Sequence, residues 1–125
     1  SLNGLKFNTT VSNMFNGCDQ LQSITGFQCC SVNNTSVSGM LTGCTSLTDI
    51  DGLFNLGESF TSSPTIELQS CPLTRESCLN IFNTVYDFVA NGSTVSPTLR
   101  FKSDVKALLS EEDIAIVTAK GWRVI

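Results

Sequence analysis

The segment Val11-Ser12-Asn13-Met14-Phe15-Asn16-Gly17-Cys18-Asp19-Gln20-Leu21-Gln22-Ser23-Ile24-Thr25-Gly26-Phe27 returns 26 residues later as Val37-Ser38-Gly39-Met40-Leu41-Thr42-Gly43-Cys44-Thr45-Ser46-Leu47-Thr48-Asp49-Ile50-Asp51-Gly52-Leu53. Eight of the seventeen positions are identical without a gap. A period of this length constrains the fold strongly, because one short unit cannot bury its apolar residues alone and must stack on its neighbours. Leu2-Asn3-Gly4-Leu5 matches Ile24-Thr25-Gly26-Phe27 as a partial third copy, so further repeats are expected upstream.

Each copy reads as a turn followed by a strand. Val11, Met14 and Phe15, like Val37, Met40 and Leu41, have the i, i+3, i+4 spacing of a short helical turn. Gly17 and Gly43 then fall where a left-handed residue closes such a turn. Leu21 and Ile24, and likewise Leu47 and Ile50, enter extended segments that pair between coils. Stacking sets Cys18 against Cys44 and Leu21 against Leu47. After Gly57 the pattern changes to longer elements: a strand at Thr65–Leu68 and a helix from Arg75 to Val89 capped by Thr74. The inward face of that helix carries Cys78, Leu79, Phe82, Val85, Tyr86 and Val89. A strand at Thr98–Phe101, a start at Ser103, a helix opened by Ser110-Glu111-Glu112-Asp113 and an edge strand at Trp122–Ile125 follow. No linker divides the chain, so residues 1–125 form one domain, with short coils over 1–57 and irregular coils with a cap over 58–125.

The run Met-Phe-x-Gly-Cys-x-x-Leu-x-x-Ile, Met14 to Ile24, resembles the leucine-rich repeats of the BspA-like surface-protein family of bacteria and phages. The tail is similar too, from Pro72-Leu73-Thr74 and Asn80-Ile81-Phe82-Asn83 to Leu109-Ser110-Glu111-Glu112-Asp113-Ile114-Ala115 and Lys120-Gly121-Trp122. The stretch Phe54–Pro64 departs from the family spacing. The resemblance implies an α/β fold of solenoid type. A parallel sheet lines one side; short helical turns and larger C-terminal capping helices line the other. It also implies a place on a cell surface, in secreted material or on a virion, and a role in adhesion or recognition. The family has no catalytic motif to carry over.

Composition narrows the chemistry. There is no histidine, which removes the commonest general base and a leading zinc ligand. No nucleophile motif or glycine-rich phosphate loop is present, and no catalytic residue, metal or cofactor is expected. A net charge of −4 argues against nucleic acid as a partner, and no apolar run is long enough for membrane insertion. Cys18 and Cys44 read as buried free thiols, while Cys29, Cys30, Cys71 and Cys78 leave disulfides open as an alternative. Asp49 and Asp51, two apart on a strand, share one face. Asn8, Asn33 and Asn91 lie in glycosylation sequons.

If Ile24, Ile50, Ile66, Leu99 and Trp122 are equivalent inward positions, the residues that follow them point outward together. Those are Thr25, Asp51, Glu67, Arg100 and Arg123, a candidate column across one sheet. The expected function is non-enzymatic recognition of a host protein or glycan through that face. The alternative is a structural cap whose partner is the upstream repeats of its own chain.

Overall fold

The computed structural model describes residues 11–29, 32–33 and 37–125. The partial copy Leu2–Leu5, Asn8 and Cys30 lie outside the described residues. Among the described residues the chain is mixed α/β with two small parallel sheets. In order it forms β1 (Ser23–Ile24), β2 (Asp49–Ile50), β3 (Thr65–Leu68), α1 (Arg75–Thr84), β4 (Thr98–Phe101), α2 (Ser103–Lys106), α3 (Glu111–Thr118) and β5 (Arg123–Val124).

In the first half the sequence period is also the pairing offset. Ser23 pairs with Asp49, Ile24 with Ile50, and Gln28 bridges to Phe54. On the turn side the Asn13, Phe15 and Gly17 amides donate to Ser38, Met40 and Thr42 carbonyls at 2.9, 3.0 and 2.8 Å. The two copies therefore pair in one register at the turn, at β1–β2 and again at Gln28–Phe54. The repetition extends to dihedral angles: Asn13 and Gly39 share a left-handed φ, 57° and 66°. At Gly43 a side chain is disfavoured twice, by a left-handed φ of 81° and by crowding, since a Cβ there would lie 3.1 Å from the Gly17 amide nitrogen. The turns are tighter than the expected helical turn. Met14, Asn16 and Cys18 each donate three residues back, to Val11, Asn13 and Phe15. This geometry leaves Met14 outside at 36% exposure, while its copy Met40 is buried.

After β2 the elements change. Leu68-x-x-Cys71-x-Leu73-Thr74 echoes Leu41-x-x-Cys44-x-x-Leu47-Thr48 with one residue fewer. Its contacts echo as well: the Thr74 amide donates to Thr48 O at 3.1 Å, as the Thr48 amide does to Gln22 O at 3.1 Å. The segment beside β2 is thus the start of α1, and β3 forms its own sheet with β4 and β5.

Thr74 caps α1 as expected, its side chain accepting from the Ser77 amide. The helix ends at Thr84, short of Val89. Val85 is extended, and the Tyr86 and Phe88 amides turn outward to Leu56 O (2.8 Å) and Lys120 O (2.9 Å). Val89 is consequently 61% exposed and not part of the inward face. Ser103, expected as an N-cap like Ser110, is instead the first residue of α2: Lys102 occupies the cap position and no side chain caps this helix. The Ser110–Asp113 capping box of α3 is complete in both directions. Trp122 fills the core between Phe60 and Phe88, with ring centroids 6.3 and 5.6 Å away, and its indole N–H donates to Tyr86 O at 2.9 Å.

Candidate functional site

Strand alternation builds the most developed polar face. Ile66, Leu68, Leu99 and Phe101 are buried, so Thr65, Glu67, Thr98 and Arg100 face out. β3 and β4 pair Thr65 with Thr98 and Glu67 with Arg100. Arg100 Nη1 donates to Glu67 Oε1 at 3.1 Å, and Gln69 Nε2 donates to Glu67 Oε2 at 2.7 Å. This ion pair is well exposed, and pairs of that kind stabilise by only ~0.2–1 kcal/mol. β5 corrects the expected alignment: Leu99 pairs with Val124, not Trp122, and Thr98 pairs with Arg123. Arg123 therefore stands diagonally from Arg100 and donates from Nη2 to Ser96 O at 3.4 Å. The reason is that Trp122 is held below the ladder by its bond to Tyr86.

Thr25 and Asp51 lie elsewhere, at the β1–β2 sheet, so the five-residue column does not form on one sheet. Glu67, Arg100 and Arg123 stay together; Thr25 and Asp51 are separated from them because α1, not β3, follows β2. The Asp51 carboxylate accepts two bonds from the Gly26 amide, at 2.9 and 3.1 Å. Together with Asp49, Glu76 and Asn80, Thr25 and Asp51 line a groove of about 170 Å³ between β2 and α1. Asp49 accepts from the Thr48 hydroxyl at 2.6 Å. Among the described residues, no cluster of three or more His, Cys, Asp or Glu side chains could hold a metal ion.

One polar stripe was not recognised from the sequence. Ser77, Asn80 and Thr84 take the positions along α1 that face β2. The Ile50 amide donates to Ser77 Oγ at 2.9 Å, Asn80 Nδ2 donates to Ile50 O at 3.0 Å, and the Leu53 amide donates to Thr84 Oγ1 at 2.9 Å. The helix side chains thereby satisfy backbone groups that another strand would otherwise meet. The i, i+3, i+7 spacing is present in the sequence, but Ser, Asn and Thr at such positions on an amphipathic helix read equally as its solvated face.

The thiols form a column longer than the repeat indicates. Cys44 Sγ donates to Phe15 O at 3.1 Å, and Cys71 Sγ donates to Leu41 O at 3.5 Å. Cys18, Cys44, Cys71 and Cys78 are free thiols, and all of these but Cys18 are buried. Burial, with Cys44 as a neighbour, pushes the Cys71 thiol up to about 12; burial, reinforced by Asp113, pushes Cys78 up to about 11. Such thiols are poor nucleophiles and suit a packing role. Between α1 and α3, Arg75 holds Asp113 through Nε–Oδ2 (2.9 Å) and Nη2–Oδ1 (2.7 Å). That bidentate bond, helped by the Ser110 amide, keeps the Asp113 carboxyl at about 2.

No family model, curated protein or solved structure matches the chain. Among the described residues no helix is long and apolar enough to cross a membrane.

Proposed function

We propose that the chain is part of a BspA-like leucine-rich solenoid that acts, without catalysis, as a recognition or adhesion module at a cell surface, in secreted material or on a virion. The observation that carries this reading is the identity between the 26-residue sequence period and the β1–β2 pairing offset. Stacked coils of this kind expose flat sheet faces to a partner. The face of β3–β4–β5, with Glu67, Arg100 and Arg123, is the recognition surface, and its ligand is a host protein or glycan. The experiment is a binding screen of the chain against immobilised extracellular-matrix proteins and glycans, beside an Arg100→Glu/Arg123→Glu variant with an unchanged melting temperature. A saturable ligand lost in the variant supports the reading. Retained binding in the variant moves the site off this sheet.

A second reading is favoured by the stripe on α1. Ser77, Asn80 and Thr84 close the edge of β2, which is what a capping module must do to end a ladder. In that role the partner is further repeats of the same chain. No ligand in the screen, with unchanged folding, supports the cap.

A further inference from the structure

The basic side chains are unevenly committed. Arg75 is held by Asp113, and Lys120 Nζ donates to the Phe82 and Val85 carbonyls at 2.8 and 3.3 Å. The other basic residues of the described chain, Arg100, Lys102, Lys106 and Arg123, all lie on β4, α2, β5 and the residue joining β4 to α2. In a protein of net charge −4 this concentrates positive charge on one region. Acidic neighbours answer only part of it: Glu67 meets Arg100 Nη1, and Asp104 meets Lys102 at 3.2 Å. Arg100 Nε and Nη2 donate to nothing among the described residues, and the bond of Arg123 to Ser96 is long, 3.4 Å. With strands about 4.8 Å apart and a rise of about 3.3 Å per residue, diagonal positions on neighbouring parallel strands are roughly 8 Å apart, within which two long guanidinium side chains can converge on one oxyanion.

We propose, resting on the reading of this sheet as the recognition face, that its ligand is an acidic polysaccharide held by a sulfate or carboxylate between Arg100 and Arg123. The composition of the face favours a glycan over a protein. Thr65, Thr98 and Gln69 offer hydroxyls and an amide beside the guanidiniums, and the exposed apolar residue there is Ile125. Protein interfaces are anchored by buried aromatic or large apolar side chains, and this face presents no aromatic anchor. Planar, always-charged guanidiniums recognise oxyanions by paired hydrogen bonds and need no apolar pocket to do so.

The test is a titration of the ¹⁵N-labelled full chain with a sulfated heparin-type oligosaccharide, an oligogalacturonate and a neutral maltooligosaccharide of equal length, at low and high salt. One or both acidic sugars should bind and shift the Thr98, Arg100 and Arg123 amides, with affinity falling as salt rises. Response to the sulfated sugar alone identifies sulfate as the recognised group, and response to the oligogalacturonate alone identifies a uronate. Arg100→Gln/Arg123→Gln should weaken binding by about tenfold or more, since charge-assisted bonds are lost. Arg100→Lys/Arg123→Lys should fall between the two, because it keeps charge and loses the fork. Both variants lie on an exposed face and should melt like the parent. Equal binding of the neutral sugar, no binding of either acidic sugar, or indifference to the double variant overturns the proposal. A matrix protein bound through the same amides without salt dependence would overturn it while leaving the sheet reading intact; shifts confined to residues off this face would overturn both.

Discussion

At the residue scale, two groups carry measurable signatures of their surroundings. Asp113 has an ordinary carboxyl value of 3.8 and is held at about 2 by Arg75 and the Ser110 amide. A depressed carboxyl adds stability that is complete above pH ~5 and is lost as pH falls through about 2. Arg75→Leu should move the Asp113 carboxyl resonance midpoint up towards 3.8 and remove that part of the acid dependence, as NMR titration of the side chain can show. Cys71 and Cys78 give a second test. With values of about 12 and 11, roughly one thiol in a thousand or fewer is ionised at pH 8. Brief alkylation of the native protein, read by peptide mass spectrometry, should modify half-buried Cys18 and spare Cys44, Cys71 and Cys78. Labelling of Cys71 at the rate of Cys18 would contradict the thiol column. The pairing of Cys18 with Cys44 was legible because both sit in the repeat; Cys71 was not, because one residue is missing between it and Leu73.

At the element scale, the α1 stripe is the feature on which the switch from strand to helix depends. Ser77 is buried and bonds the Ile50 amide and Thr48 O at once. Ser77→Val should cost about 1–3 kcal/mol in denaturant unfolding, because it leaves a buried amide without an acceptor. Thr84→Val keeps shape and removes the acceptor of the Leu53 amide, with a loss of the same order. By contrast, breaking the exposed Glu67–Arg100 pair with Glu67→Gln should cost less than about 1 kcal/mol. Strands β3 and β4 were legible to the residue, since Pro64 and alternation bound Thr65–Leu68 and Thr98–Phe101 sharply. The end of α1 was not. Nothing in the periodicity from Cys78 to Val89 reveals that the Tyr86 and Phe88 amides bond to Leu56 and Lys120, and those distant partners decide where the helix stops.

At the scale of the whole molecule, the buried apolar side chains of both sheets and the helices form one cluster, so one buried charge is felt throughout. Leu47 is fully buried between coils, and Leu47→Asp should abolish the cooperative thermal transition seen by circular dichroism, because the carboxylate meets no partner. A melt like that of the parent would contradict the packing. The candidate site was half legible for a related reason. Glu67, Arg100 and Arg123 share a sheet as alternation indicates, whereas Thr25 and Asp51 were grouped with them on the premise that every strand continues one ladder. That premise fails where Thr74 nucleates a helix beside β2.

The 26-residue sequence period is the pairing offset of β1 and β2, and α1 meets the other edge of β2. Inter-strand nuclear Overhauser effects on the labelled protein test it most directly. Parallel contacts of Ser23 with Asp49 and Ile24 with Ile50 are expected, together with contact of the Ile50 amide with the Ser77 side chain. Contacts of Ile50 with Ile66 across a continuous sheet, or pairing of the two copies in any other register, would contradict it.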